Sequence, residues 1–529
     1  MEMFVAEVHN SMKTDVDIAR PVSITPDSHE QTTRQKGGSI FRMLFCTLGE
    51  EATLKGLNMF LQRHQYGSVT FTDLWTVLDE VASEQNVTMD TESFLDPWLT
   101  QEHFPLVTVQ RSRSGSVHVK QELFRKDMSS QTDSGYAPYG HMWDIPMMIM
   151  SSVKTVSSTT SQYSDILWLR KSQSEVTFRN LSIPDETDPN GWILVNPDVI
   201  GYYRVNYDDR NWQALLEQLK RDHTVFSAQS RSQIINDAFA LYKSRTLDVK
   251  IALGTLVYLQ DELDYLPWLT ALREIMELDD ILDQTRLYDA FEHYMKDRLN
   301  AAFQHCGLWA STDDVPMDMQ HRKQIAEWAC RYRLQACLDA ASVVFTEWTE
   351  GKRTLSADVR STMYCYGVMN GGQNAWDVVY NASLNTSLPS RHKKSLDRAL
   401  GCASDPSMIE RLLERFLPPG TPDLGQRDAI LYTLTRSHRA RDAVWTYIQE
   451  HPDTHEYNLR PILAGAEYLH KSEVFIQQLS GMFRNATDGD AALRDTAVRS
   501  IRSKMAAFRE LESDLEVWLT EAGYASHIS

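Results

Sequence analysis

What this 529-residue sequence lacks narrows what it can be. It contains no run of 18 apolar residues, so nothing in it reads as a bilayer-spanning helix. Its six cysteines stand at 46, 306, 330, 337, 365 and 402. None forms a C-x-x-C pair, which removes zinc knuckles and thioredoxin-type redox motifs. Basic residues are scarce, with 53 Lys and Arg against 72 Asp and Glu, a formal charge of -19 and a pI near 5.3. That balance argues against nucleic acid, whose phosphate backbone wants clustered cations. The first residues, MEMFVAEVHNSMKTDV, lack the basic and then apolar regions of a secretory leader, and YASHIS at the end is neither a retention signal nor a lipid-anchor tail.

What is present is ample core material. Hydrophobic residues make up 42%, including 13 Trp, 21 Tyr and 18 Phe, so wholesale disorder is excluded. The length suggests about three or four domains. Three zones are legible. Residues 1–104 read as helical: FRMLFCTLGEEATLKGLNMFLQRHQ spaces Phe41, Leu44, Leu48, Leu54, Leu57 and Phe60 at helical intervals, and FTDLWTVLDEVASEQ repeats the pattern with Thr72 as its expected N-cap. Residues 105–208 hold seven short β-rich runs, PLVTVQRS, SVHVKQELF, IPMMIMSS, DILWLRK, SEVTFRN, GWILVNP and GYYRVNY, separated by turn residues. Seven such runs predict a small β-sandwich. Residues 209–529 return to the helical period in segments of about 12 to 18 residues joined by short links, which predicts paired helices stacked as a solenoid of the HEAT or armadillo kind. The fold class expected is therefore mainly α with a small β-sandwich.

Two short stretches invite a metal reading. HEQTT, residues 29–33, stops one residue short of HExxH, in which imidazoles at i and i+4 hold a zinc ion while the intervening Glu activates its water. Thr33 stands where the second His is required, and Pro21, Pro26 and Asp27 just upstream read as turn. HPDTH places His451 and His455 at the same spacing, but Pro452 follows the first and the stretch reads as a helix-entry turn. Neither is expected to bind metal. Trp75, Trp98, Trp268 and Trp376 are expected in cores or interfaces, Glu510, Glu512 and Asp514 on a solvated face, and GGQ at 371–373 as a helix–helix link. Arg204 and Asp208, in YYRVNYDD, are expected to make an ion pair or a cap. Sequons at Asn86, Asn180, Asn381, Asn385 and Asn485 are glycosylation candidates.

At the junction of the second and third zones, GWILVNPDVIGYYRVNYDDRNWQALLEQL resembles a signature of the aminopeptidase N family of zinc aminopeptidases. FLQRHQYGSVTFTDLWTVLDEVA, DPWLTQEHFPLVTV, RSQIINDAFALY, YLQDELDYLPW, RSTMYCYGVMNGGQNAWD and RALGCASD follow family order and spacing, so the resemblance spans nearly the whole chain. It is to the C-terminal part of the family. It implies that 1–104 is the helical tail of a thermolysin-like catalytic domain, 105–208 a β-sandwich spacer and 209–529 the large helical domain. Neither GxMEN nor HExxH with its downstream Glu ligand occurs, so no catalytic or metal residue is carried over, and zinc belongs to the intact family enzyme alone. HEQTT falls where the family has a linker. The family places a Tyr two residues before the Lys-Gly of Y-x-K-G-[AG]-S, where its hydroxyl supports the tetrahedral oxyanion. RQKGGS aligns Lys36, Gly37, Gly38 and Ser39 with that pattern and puts Arg34 at the Tyr position.

Cys330 and Cys337 are seven residues apart. On one straight helix their Cα atoms would lie about 10.5 Å apart, beyond the roughly 7 Å limit for a disulfide, so a bridge demands a helix break. The resemblance implies that bridge and a second between Cys365 and Cys402. Disulfides imply an extracellular or cell-surface setting, and the expectation that reconciles this with the N-terminal residues is that Met1 lies inside a longer secreted or anchored precursor. The resemblance thus implies an aminopeptidase N-like polypeptide that supplies the peptide-enclosing helical domain and is inactive alone. The alternative is a non-catalytic pseudoenzyme or a peptide- or protein-binding module. Whether the chain is itself an enzyme is not decided by sequence. Peptides are the expected partners, and a homodimer through the helical domain is left open.

Overall fold

The computed structural model describes residues 2–17, 22, 30–84, 90–112, 115–128, 136–153, 166–309, 311, 313–416, 430–431, 433–437, 440–451, 460–484 and 488–528. The chain is mostly helical with small sheets and divides into two compact units: Met1–Tyr258 with Leu266–Ala271, and Leu259–Tyr265 with Leu272–Ser529.

The first unit opens with five helices: α1 Glu2–Asp17, α2 Glu30–Leu48, α3 Glu50–Arg63, α4 Phe71–Glu84 and α5 Thr91–Thr100. The helix α2 begins at Glu30, so the residues of HEQTT after His29 are helical rather than linker, while His29 itself lies outside the described residues. Gly49, at φ 88°, separates α2 from α3, a left-handed position that glycine adopts without steric cost. The cap of α4 is Thr70, not Thr72: its Oγ1 accepts from the Asp73 N–H at 3.4 Å, and the Asp73 carboxylate accepts from the Thr70 N–H at 2.7 Å. The reciprocal pair is a capping box in which Asp takes the place of Glu.

All seven β-rich runs contain strands: β1 Pro105–Arg111, β2 Val117–Leu123, β3 Ile145–Met147, β4 Ile149–Ser151, β5 Leu167–Leu169, β6 Glu175–Phe178, β7 Ile193–Val195 and β8 Arg204–Tyr207. The run IPMMIMSS supplies two of them, because β3 pairs with β5 while β4 pairs with β7. The largest sheet has the order β6-β2-β1-β8, antiparallel except for β1 and β8, which run parallel. In β2, Val117, Val119, Gln121 and Leu123 are buried while Lys120 faces solvent, the period-2 pattern of a half-buried strand. Buried Gln121 is fully used: its amide donates to the carbonyls of Trp143, Arg170 and Gln173 and accepts from the Trp143 N–H at 3.0 Å.

The strands lead into α6 Asp209–Asp222, α7 Ala228–Lys243 and α8 Val249–Gly254. Asp208 caps α6, accepting from the Asn211 N–H at 2.9 Å. Arg204 donates to the Asp237 carboxylate at 2.9 Å, with both side chains buried. Each therefore does one of the two jobs expected at this junction. Burial raises the Asp237 pKa, and Arg204 and the Val205 N–H work against that rise.

Helix α9 Tyr265–Leu282 contributes to both units. The second unit continues with α10 Tyr288–Cys306, α11 Pro316–Arg331, α12 Gln335–Thr349, α13 Arg360–Ser383, α14 Ser390–Leu400 and α15 Pro406–Phe416, each packed on its neighbour through α14. Helices Arg441–Glu450, Arg460–Leu469, Glu473–Met482 and Asp488–Glu521 follow. Gly372, at φ 60° and ψ -153°, breaks α13 into two helical arms where GGQ predicts a link. Buried charges join distant helices: Asp279 accepts from Tyr332 at 2.9 Å and Tyr288 at 3.2 Å and pairs with Arg331, while Asp283 holds Arg441 through both carboxylate oxygens.

The two disulfides also lie in this unit. Cys330 ends α11 and Cys337 opens α12, with Cα atoms 5.3 Å apart across a turn in which Arg333 has φ 56°. Cys365, on α13, joins Cys402, just past α14, with Cα atoms 5.2 Å apart. Cys46 and Cys306 are free thiols.

Candidate functional site

Helix α2 carries the RQKGGS segment. The helix turns about 100° per residue, so positions two apart point to nearly opposite faces. Arg34 accordingly faces solvent, whereas Lys36 is fully buried. The Lys36 ammonium lies 2.9 Å from the Asp15 carboxylate of α1 and donates to the His103 carbonyl at 2.8 Å. The cluster closes through other elements. Tyr202 shares a hydrogen bond of 2.9 Å with Ser11 and donates to Asp15 at 3.4 Å, while His103 Nδ1 meets the Asp15 carbonyl at 3.0 Å. Burial first, and the Asp15 charge second, push the Tyr202 phenol well above its ordinary range. Tyr202 is therefore a neutral hydroxyl that donates or accepts but does not ionise.

Six residues further along α2, Arg42 donates to the carbonyls of Asp198 and Val199. Those residues sit in a bend where Asn196, Asp198 and Val199 all have positive φ, at 62°, 60° and 54°. For a β-branched residue such as Val199 this is a strained conformation, held here by partners on three sides. Besides Arg42, the Asn196 amide bonds Gly201, and Ser230 of α7 accepts from the Asp198 N–H at 3.0 Å. The contacts of Lys36, Tyr202 and Arg42 hold α2 against α1 and the strand–helix junction. Their chemistry is positional.

The other candidates are placed as follows. His451 closes the helix Arg441–Glu450, with Nδ1 2.9 Å from the Tyr447 carbonyl, so HPDTH begins at a helix exit; His455 lies outside the described residues. Asn180, Asn381 and Asn385 are exposed, while Asn86 and Asn485 lie outside the described residues. Glu512 pairs with Arg286 at 2.8 Å instead of lying on a purely solvated face. Among the described residues no group of three or more His, Cys, Asp or Glu could hold a metal ion. A zinc site needs three protein donors. HEQTT, with Thr33 at its fifth position, lacks the second imidazole of HExxH. A lysine beside two glycines is the one local signal at Lys36; nothing local marks Asp15 and His103 as its partners, or Tyr202 and Ser11, which close the cluster.

Such a chain, a helical protein with small sheets whose first helices carry a KGGS segment locked from within, is similar to known proteins along most of its length. The description "ERAP1-like C-terminal domain" matches residues 192–464 and "Peptidase family M1 domain" matches residues 2–98. The chain therefore belongs to the ERAP1-like C-terminal domain family and matches the C-terminal part of the aminopeptidase N family. Among curated relatives, the thyrotropin-releasing hormone-degrading ectoenzyme of Homo sapiens is 27% identical over 92% of this chain and 46% of its own length. Aminopeptidase N of Mus musculus is 25% identical over 94% of this chain and 52% of its own length. Aminopeptidase Ey of Gallus gallus is 26% identical over 84% and 46% respectively. The chain thus spans about half the length of the curated relatives it matches.

Proposed function

We propose that this chain serves as the peptide-enclosing C-terminal portion of an aminopeptidase, a zinc enzyme in its intact family form, and that it does not hydrolyse peptides alone. The observation that carries this reading is the similarity to aminopeptidase N over more than nine-tenths of the chain. In this reading residues 1–104 are the helical tail of a thermolysin-like catalytic domain, 105–208 a β-sandwich spacer and 209–529 a helical solenoid whose hollow receives peptides. Inactivity alone follows from chemistry. Water becomes nucleophilic at neutral pH on zinc held by three protein ligands, and neither HExxH with its downstream Glu nor GxMEN occurs in this sequence. An extracellular or cell-surface setting is supported by the two disulfides and by the ectoenzyme among the relatives, and it would make Asn180, Asn381 and Asn385 available for glycosylation.

A second reading, a non-catalytic module that binds peptides or a protein partner, is favoured by Arg34. A guanidinium is longer than a phenol, permanently charged and differently aimed, and losing an oxyanion donor costs about 2.7 to 4 kcal/mol of transition-state stabilisation. Purified chain incubated with zinc and an L-leucine amide substrate tests the first reading. No turnover and no stoichiometric zinc are expected; either one appearing overturns inactivity. Restoring Arg34→Tyr within a chimera that carries a relative's zinc segment separates the two, since a family role predicts a rate gain of about a hundredfold or more.

A further inference from the structure

Helices α13 and α15 border a recess of about 290 Å³ lined by Trp376, Tyr380, Arg411 and Glu414. Trp376 and Tyr380 stand one turn apart on α13 with rings parallel, 4° between planes and 5.2 Å between centroids, so they form one stacked aromatic pair. Arg411 of α15 sets its guanidinium 5.4 Å from the Trp376 ring centre, and Glu414 follows one turn later on the same helix. Both charged side chains are exposed, and neither is in an ion pair with another described residue. Trp376 is 4% exposed, and its indole Nε1 has no acceptor among the described residues. A buried donor without a partner is unfavourable unless water or a ligand supplies the acceptor.

We propose that this recess binds a small zwitterion with a large apolar side chain, that is, an aromatic amino acid. Arg411 receives the carboxylate through a fork of two N–H donors, Glu414 receives the ammonium, and the side chain lies against the stacked Trp376–Tyr380 pair. The opposite charges of Arg411 and Glu414 favour a zwitterion over a simple anion. The size of the recess, at the bottom of the roughly 300 to 1,000 Å³ range of small-ligand pockets, favours one amino acid over a long peptide. The proposal stands independently of the aminopeptidase reading.

Ligand-observed NMR and calorimetry on the full chain test it, with L-phenylalanine as the probe. Saturable binding in the millimolar range or tighter is expected, weakened about tenfold or more when L-phenylalaninamide removes the carboxylate, N-acetyl-L-phenylalanine removes the ammonium, or glycine removes the ring. Arg411→Met and Glu414→Gln, exposed substitutions, are each expected to weaken binding by about tenfold with the circular dichroism spectrum unchanged. No saturable binding of L-phenylalanine up to about 10 mM, equal binding of the amide, or full binding by Arg411→Met overturns the proposal. The ligand series is read on the unmodified chain, so it decides the matter even if a variant folds poorly.

Discussion

Lys36 and Asp15 face each other at 2.9 Å with neither side chain touching solvent. A buried charge left without its partner is strongly disfavoured, by about 3 to 5 kcal/mol, more than the pair itself contributes when intact. Lys36→Met is therefore expected to lower stability by about that amount. Adding Asp15→Asn should restore part of the loss, because the stranded carboxylate is then removed. Chemical denaturation of both single variants and the double variant measures the coupling; additive losses would show that the pair does not act as a unit.

The two disulfides close loops of different length, with sequence separations of 7 and 37. If each acts chiefly by restricting the unfolded chain, the loop-entropy relation assigns about 2.4 kcal/mol to Cys330–Cys337 and about 3.8 kcal/mol to Cys365–Cys402. Replacing each pair by Ser and comparing urea midpoints should give the larger loss for Cys365 and Cys402. The reverse order would assign the stabilisation to packing around the buried bridge at Cys330.

Burial, reinforced by His305 and opposed by Asp264 and Asp318, pushes the His321 imidazole down to about 4. Its folded pKa lies below the unfolded value of about 6.5, so the unfolded chain takes up the proton first. The resulting stability is present above pH 6.5 and is lost as pH falls towards 4. The loss is expected to reach about 3 kcal/mol, and His321→Phe should flatten that part of the profile. Stability measured from pH 7 to pH 4 in both proteins checks it; parallel profiles would refute it.

Arg333 holds a left-handed backbone, φ 56°, in the turn that lets Cys330 reach Cys337, and its side chain is exposed. Arg333→Gly should be neutral or stabilising by up to about 1 kcal/mol, since glycine enters this region without strain but loses more entropy on folding. Arg333→Pro should destabilise, because proline cannot adopt positive φ and removes the N–H that donates to the Cys330 carbonyl at 3.0 Å. Thermal melts and free-thiol titration of both variants read the two outcomes.

Features that depend on neighbours along the chain are legible before any folding is considered. The alternation Val117, Val119, Gln121, Leu123 specifies a half-buried strand, Asp208 announces a helix start, and Gly372 marks a break, because each follows from local backbone and side-chain preferences. The sequence also carried the family, whose signature is contiguous at residues 191–219. Tertiary structure alone decided what depends on residues far apart. It divided IPMMIMSS between two partner strands, brought Asp15 and Tyr202 to Lys36, set Arg286 against Glu512, and placed Arg411 and Glu414 beside Trp376. Such meetings leave no periodic trace, because a buried charge or a ligand-shaped recess is satisfied by whichever element the fold carries to it.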